Sequence, residues 1–209
     1  IYHKGAWVLH MLRRRLGDDD FFAALQAYVG DPALRWGNAH TDDFVATCEA
    51  ISGLDLATFF HQWLERSTYP IYEYAWRQQP GRDPTQVAVR LRQVQDPDPV
   101  HGPLPYEVPV DLRFHHGGWD TTVTVWNDQL DQSYAIDLER PIAWMSLDPD
   151  QWLLNEATNV TAAPEDPPPD TSPDDAPNDA ARLARLLPAV PNPFNPQVVL
   201  RWRTERRTR

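Results

Sequence analysis

The chain has 209 residues, with 30 Asp or Glu against 19 Lys or Arg and a formal net charge of −11. That balance excludes nucleic acid as the main partner, because phosphate binding needs surplus cations, and no apolar run reaches the roughly 18–20 residues of a membrane span. A 42% hydrophobic content with nine tryptophans implies a globular protein over most of the length, and the single cysteine, Cys48, excludes an internal disulfide framework.

The chain opens "IYHKGAWVLHMLRRRLGDDDFF", in mid-helix, with no initiating methionine or apolar signal core before it, so its beginning is expected to be missing. Ala6, Leu9, Leu12 and Leu16 recur at helical spacing, with Tyr2 one turn before Ala6. Gly17 is a stop, and Asp18 or Asp19 can cap a second helix carrying Phe21, Phe22, Leu25 and Tyr28. Thr41 is the expected N-cap of a third helix, with Phe44, Val45, Cys48 and Ile51, closed by Gly53. Asp55 caps a fourth, holding Leu56, Phe59, Phe60, Trp63 and Leu64.

Near Pro70 the period changes to two. The first strand is "YPIYEYAW"; in "QVAVRLRQVQ" Val87, Val89 and Leu91 share a face, and in "EVPVDLRF" Val108, Val110, Leu112 and Phe114 do. "HHGGWD" supplies a hairpin turn, "TTVTVWN" returns, and "SYAIDL" and "IAWMSL" complete six strands. An antiparallel β-sandwich is the expected architecture, with Pro109 marking an edge or bulge. "APEDPPPDTSPDDAPNDAA" then carries prolines and acidic residues but no apolar payload. Such a segment cannot offset its ordering entropy and reads as an extended, mobile linker.

A complete active site is not legible in these residues. There is no His-Glu-x-x-His, no Gly-x-Ser-x-Gly and no phosphate loop. His3 and His10 lie seven apart on the first helix without a carboxylate between them at ligand spacing, so they read as surface or satisfied histidines. His115 and His116 read as solvated turn residues. Cys48 sits on an apolar stripe and reads as a small buried hydrophobe. Asp18–Asp20 suits a helix start. Trp119, Trp126 and Trp144 could form an aromatic platform, but core packing accounts for them more simply.

The opening motif adds what composition does not. "YHKGAWVLHMLRRRLGDDDFFAALQAYV" resembles the Tyr-x-Lys-Gly segment of the gluzincin aminopeptidases, the aminopeptidase N family of zinc exopeptidases. The likeness continues through "NAHTDDFVATCEAISGLDLATFFHQWLERSTYPIYEY", which resembles the family's Thr-x-Asp-Phe helix, Gly-x-Asp-Leu turn, Phe-Phe-x-x-Trp-Leu helix and Tyr-Pro entry into the β-domain. "VPVDLRF" and "MSLDPDQWLL" are similar to later strands, so the resemblance covers about residues 1–155. It implies that Tyr2 donates its phenolic hydroxyl to the oxyanion formed when zinc-bound water attacks the scissile carbonyl. Lys4 and Gly5 carry over as motif positions, and His3 departs from the glutamate often found there. In the family the zinc ligands and the acidic motif for the substrate amine precede this tyrosine. These 209 residues are therefore expected to bind no zinc and to be inactive alone.

"VPNPFNPQVVLRW" resembles the opening of C-terminal sorting domains of secreted bacterial proteins, including type IX secretion cargo, with Val190 in place of the usual tyrosine. The expectation is an α+β multidomain fragment of a secreted or cell-surface bacterial zinc aminopeptidase acting on peptide N-termini. Residues 1–67 would be the helical end of a thermolysin-like catalytic domain, 68–156 a β-sandwich, 157–187 a disordered acidic Pro-rich linker, and 188–209 a truncated sorting domain that engages the secretion machinery. The rival is an aminopeptidase-like binding or scaffold protein without catalysis.

Overall fold

The computed structural model describes residues 2–35, 37–79, 81 and 85–160, with Tyr2 and short strands at 185–186, 190–192, 195–199 and 202–203 described by backbone alone. The chain forms two compact units. The first comprises Ile1–Tyr69, Asp96–Pro103 and Trp152–Leu154, and the second Pro70–Gln95, Leu104–Gln151 and the chain from Asn155 onward. A helical unit assembled from three stretches differs from the single stretch 1–67 expected. Its two late stretches are tied in by particular contacts: Asp98 accepts from Ser67, and the Trp152 ring stacks on His10 at 4.8 Å.

In the helical unit, α1 (Tyr2–Leu16), α2 (Asp18–Gly30), α3 (Thr41–Ser52) and α4 (Ala57–Phe60) follow in order, and α4 continues into a π turn, His61–Glu65. The buried face of α1 is Val8, Met11 and Leu12, while Leu9 of the expected stripe is 41% exposed. Positions 8, 11 and 12 are themselves one helical face, so the true stripe lies beside the expected one. Gly17, at φ 82°, precedes α2, and the Asp18 carboxylate pairs with the Arg13 guanidinium instead of capping. His40, not Thr41, precedes α3; its N–H donates to the Asp43 carboxylate at 2.8 Å. Gly53 closes α3 in the left-handed region as expected; Leu56, not Asp55, takes the N-cap position of α4, and the Asp55 carboxylate accepts from the Ala57 N–H at 2.9 Å. Tyr28, Phe44, Phe60 and Phe59 meet edge to face in sequence across α2, α3 and α4, a geometry that adds to their area burial. Leu56 and Trp63 are wholly buried.

Among the described residues, besides two two-stranded pairs near its C-terminal end, the second unit holds two larger sheets. One is ordered β5-β2-β1-β7, from β1 (Ile71–Gln78), β2 (Thr85–Gln93), β5 (Asp131–Leu138) and β7 (Glu156–Asn159). The other is ordered β4-β3-β6, from β3 (Val108–His116), β4 (Trp119–Asn127) and β6 (Trp144–Leu147). Val87, Val89, Leu91, Val110, Leu112 and Phe114 are buried as the alternation requires. β7 is a seventh strand absent from the expectation, and it runs parallel to β1. The first sheet is therefore mixed rather than antiparallel, and it extends past residue 156.

Pro109 lies in the central strand β3, paired with Trp126, but β6 pairs only with Leu112–His115. At Pro109 one side of the strand is open, which is where a residue without an N–H can sit. Gly117 and Gly118, at φ 44° and 108°, make the two-residue turn between β3 and β4. Tyr72 of β1 and Gln93 of β2 both donate to the Asn127 side-chain oxygen of β4, at 3.0 and 2.6 Å, so a buried polar knot joins the sheets.

The tryptophans and histidines of this unit correct the sequence reading. Trp126 and Trp144 are 40% and 53% exposed, so core packing does not account for them. They pair with Pro109 and His115, six residues apart along β3, or about 20 Å, too far apart to form one platform. His115 is part-buried, stacked on Trp144 at 3.5 Å and bonded to Asp120 and Ser146. It is a strand residue, not a solvated turn. At the C-terminal end Val190–Asn192 pairs antiparallel with Asn195–Val199, and Arg185–Leu186 with Trp202–Arg203. The expected linker, 157–187, begins inside β7 and includes the short strand Arg185–Leu186; its remainder, 161–184 and 187, lies outside the described residues.

Candidate active site

Tyr2 opens α1, and its side chain lies outside the described residues. Its motif neighbours are defined. Lys4 reaches the far end of the π turn, where its ammonium donates to the Arg66 carbonyl at 2.6 Å. Partial burial pushes the Lys4 pKa down, and the negative charge of Asp98 opposes that shift. Lys4 thus clamps the first turn of α1 to the end of the helical segment 57–65, which gives the motif lysine a positioning role. Gly5 is exposed, and a Cβ there would meet nothing within 4 Å. It borders a groove of about 400 Å³ lined also by Val8, Tyr28, Phe44 and Phe60. His3 is exposed, whereas His10 is held between Trp7 and Trp152. The aromatic stack around His10 supports its reading as a satisfied histidine.

Asp98 is the most strongly organised carboxylate nearby. It accepts from the Ser67 N–H and hydroxyl and from the Val100 and His101 N–H groups, all within 2.9 Å. Those donors, led by the Ser67 and His101 backbone, hold its pKa well below the usual carboxylate range. The loop 96–103 is thereby fastened to the end of the π turn. Cys48 is fully buried, and burial with the adjacent Glu49 charge pushes its thiol up to about 11. It is a packing residue, since the reactive form of cysteine is the thiolate.

Residues 1–63 match the Peptidase family M1 domain. Aminopeptidase N of Lactococcus lactis subsp. cremoris (strain MG1363) is 37% identical over 71 residues, which cover 34% of this chain and 8% of the relative. Aminopeptidase M1-A of Oryza sativa subsp. japonica is 39% identical over 70 residues, covering 34% and 8%. Probable aminopeptidase 2 of Sulfurisphaera tokodaii is 33% identical over 70 residues, covering 34% and 9%. The structure of Legionella pneumophila aminopeptidase A in complex with aspartic acid superposes with a TM-score of 0.58 at 17% identity, over 75% of this chain and 17% of that one. The last is a likeness of fold alone. The first third of the chain is aminopeptidase-like in sequence, and it aligns with less than a tenth of each of these relatives' length.

A second cluster escaped the sequence reading. His61 and Glu65 stand four apart on the π turn, and His101 of the loop 96–103 comes up beside them. The i,i+4 spacing of the first two was visible in the sequence; the approach of His101, from a loop beyond β2, was not. Among the described residues no helix is long and apolar enough to cross a membrane.

Proposed function

We propose that this chain is a portion of a zinc-dependent aminopeptidase that releases N-terminal residues from peptides. The observation that carries the reading is the family match over residues 1–63, which includes the Tyr2-x-Lys4-Gly5 motif at the start of α1. The 209 residues contain no His-Glu-x-x-His, so the ligands of the catalytic zinc do not come from that motif within this chain. Zinc would supply the activated water. Tyr2 would donate its phenolic hydrogen to the oxyanion that develops on the scissile carbonyl, a neutral donor that does not compete for the metal. Lys4 would hold the first turn of α1, and so Tyr2, against Arg66.

The helices would close a thermolysin-like catalytic domain, and the two sheets would pack as a β-sandwich, a reading supported by the buried Tyr72–Asn127–Gln93 knot between them. In the complete enzyme, aminoacyl-anilide substrates are expected to be cleaved, with activity lost to a zinc chelator and restored by zinc. A complete protein that folds and cleaves no aminoacyl-anilide would favour the scaffold reading instead.

Residues 188–209 are proposed as a sorting signal for a bacterial secretion system, on their Pro-Asn-Pro-Phe-Asn-Pro motif. Deleting them should retain active enzyme inside the cell. Normal export of the shortened protein would refute the signal and leave the enzymatic reading intact.

A further inference from the structure

His61, Glu65 and His101 each present a ligand atom, and the three atoms lie within 4.8 Å of one another. His61 Nδ1 is 2.8 Å from a Glu65 carboxylate oxygen. The His101 ring meets that of His61 edge-on, with centroids 5.0 Å apart and planes at 88°. His101 is also oriented from behind, because its Nδ1 is 2.9 Å from Asp98 Oδ1. An ionised carboxylate only accepts, so the Nδ1 of His101 carries a proton and its Nε2 offers the lone pair of the neutral ring. Metal-ligating histidines are supported in this same way, by a carboxylate on the nitrogen that does not touch the ion.

An ordinary ion pair accounts for this arrangement poorly. The His61 and Glu65 side chains are 42% and 62% exposed, and exposed pairs contribute little. Nor does such a pair require a second imidazole, braced by a buried aspartate, to turn toward it.

We propose that His61, Glu65 and His101 form a binding site for a divalent transition-metal ion of the zinc type, which ties the loop 96–103 to the π turn. Two imidazoles and one carboxylate suit Zn²⁺, Co²⁺ or Ni²⁺ rather than Ca²⁺ or Mg²⁺, which take oxygen ligands. Tetrahedral bonds of about 2.0–2.2 Å separate ligand atoms by about 3.4 Å. His61 and Glu65, now 2.8 Å apart, would open by about 0.6 Å, and separations of up to 4.8 Å would close by up to about 1.4 Å, which rotation of the exposed Glu65 and half-exposed His61 side chains can provide. The ion takes the place of the His61–Glu65 hydrogen bond, the His61 proton passing through solvent to Nε2 so that Nδ1 offers its lone pair, and water completes the fourth position. The site departs from the expectation that this chain holds no metal, and it does not rest on the aminopeptidase reading.

The test uses the 209-residue chain stripped with chelator, titrated with Co²⁺ and then competed with Zn²⁺. One ion per chain should bind, with the intense visible bands of tetrahedral cobalt. Glu65→Gln and His101→Ala should each weaken binding at least tenfold, and Asp98→Asn about tenfold through the orientation of His101. His116→Ala, at an exposed end of β3, should bind as the parent does. Glu65→Gln changes only an exposed side chain, so it tests the site even if the loop variants fold poorly. No binding by the folded parent would overturn the proposal, as would equal binding by Glu65→Gln and the parent.

Discussion

Tyr2→Phe in the complete enzyme is expected to lower kcat by about two or more orders of magnitude while KM changes little. The substitution removes a hydroxyl and keeps the ring, so helix α1 and any packing by the ring survive. A donor aimed at the oxyanion acts on charge that exists only in the transition state, and removing one such donor costs about 2.7–4 kcal/mol. At about 1.4 kcal/mol per tenfold in rate, that is a hundredfold or more. Because the ground-state carbonyl carries little of that charge, substrate affinity should be nearly untouched. Steady-state kinetics on an aminoacyl-anilide separate the two constants. An unchanged kcat would return Tyr2 to a packing role, with the family likeness of residues 1–63 unaffected.

The second large effect is on stability. Asn127→Leu should reduce the unfolding free energy of the chain by about 3 kcal/mol, read from urea denaturation. The Asn127 side chain accepts from Tyr72 and Gln93, and its own amide donates to the Gln129 carbonyl and the Gln132 side chain. Leucine matches its size but strands the Tyr72 hydroxyl, on a residue with no exposed surface. Each buried polar group left unpartnered costs about 1–3 kcal/mol, and the added apolar burial offsets only part of two such losses. Gln93 keeps the Tyr106 carbonyl as an acceptor, so its loss is the smaller one. Tyr72→Phe, which removes a single bond from the same knot, should cost only about 1 kcal/mol. If Asn127→Leu unfolds within 1 kcal/mol of the parent, the knot contributes nothing to stability.

The succession of helices and strands was legible because each carries its own signal. Gly53, Asp55 and the Gly117–Gly118 turn stand where local backbone chemistry places them, and Val87, Val89 and Leu91 alternate as a half-buried strand must. What escaped was decided by partners distant in the chain. Leu9 and Val8 are equally apolar, and only the tertiary neighbours of α1 choose which of them is buried. Asp18 had two uses, as a cap or as the partner of Arg13, and the guanidinium won. β7, "EATN", has no apolar alternation and is a strand only because β1 offers it an edge. In the site, Tyr2, Lys4 and Gly5 stood out as a motif, but the bond from Lys4 to Arg66 spans 62 residues and leaves no local trace. The meeting of His101 with His61 is hidden for the same reason.

The placement of β7 bears on association between molecules. Without it, the side of β1 facing away from β2 would present an unpaired row of N–H and C=O groups, a template on which another chain could build a strand. β7 occupies that row from Ile71 to Tyr74, and the bond from the Val160 N–H to the Tyr74 carbonyl completes the closure there. Its side chains, Glu156, Ala157, Thr158 and Asn159, are all exposed and include no large apolar group. A short polar ribbon of this kind protects an edge without adding to the core. This short strand thus acts as a guard against self-assembly, and any shortened form of this protein would need to retain it through Val160.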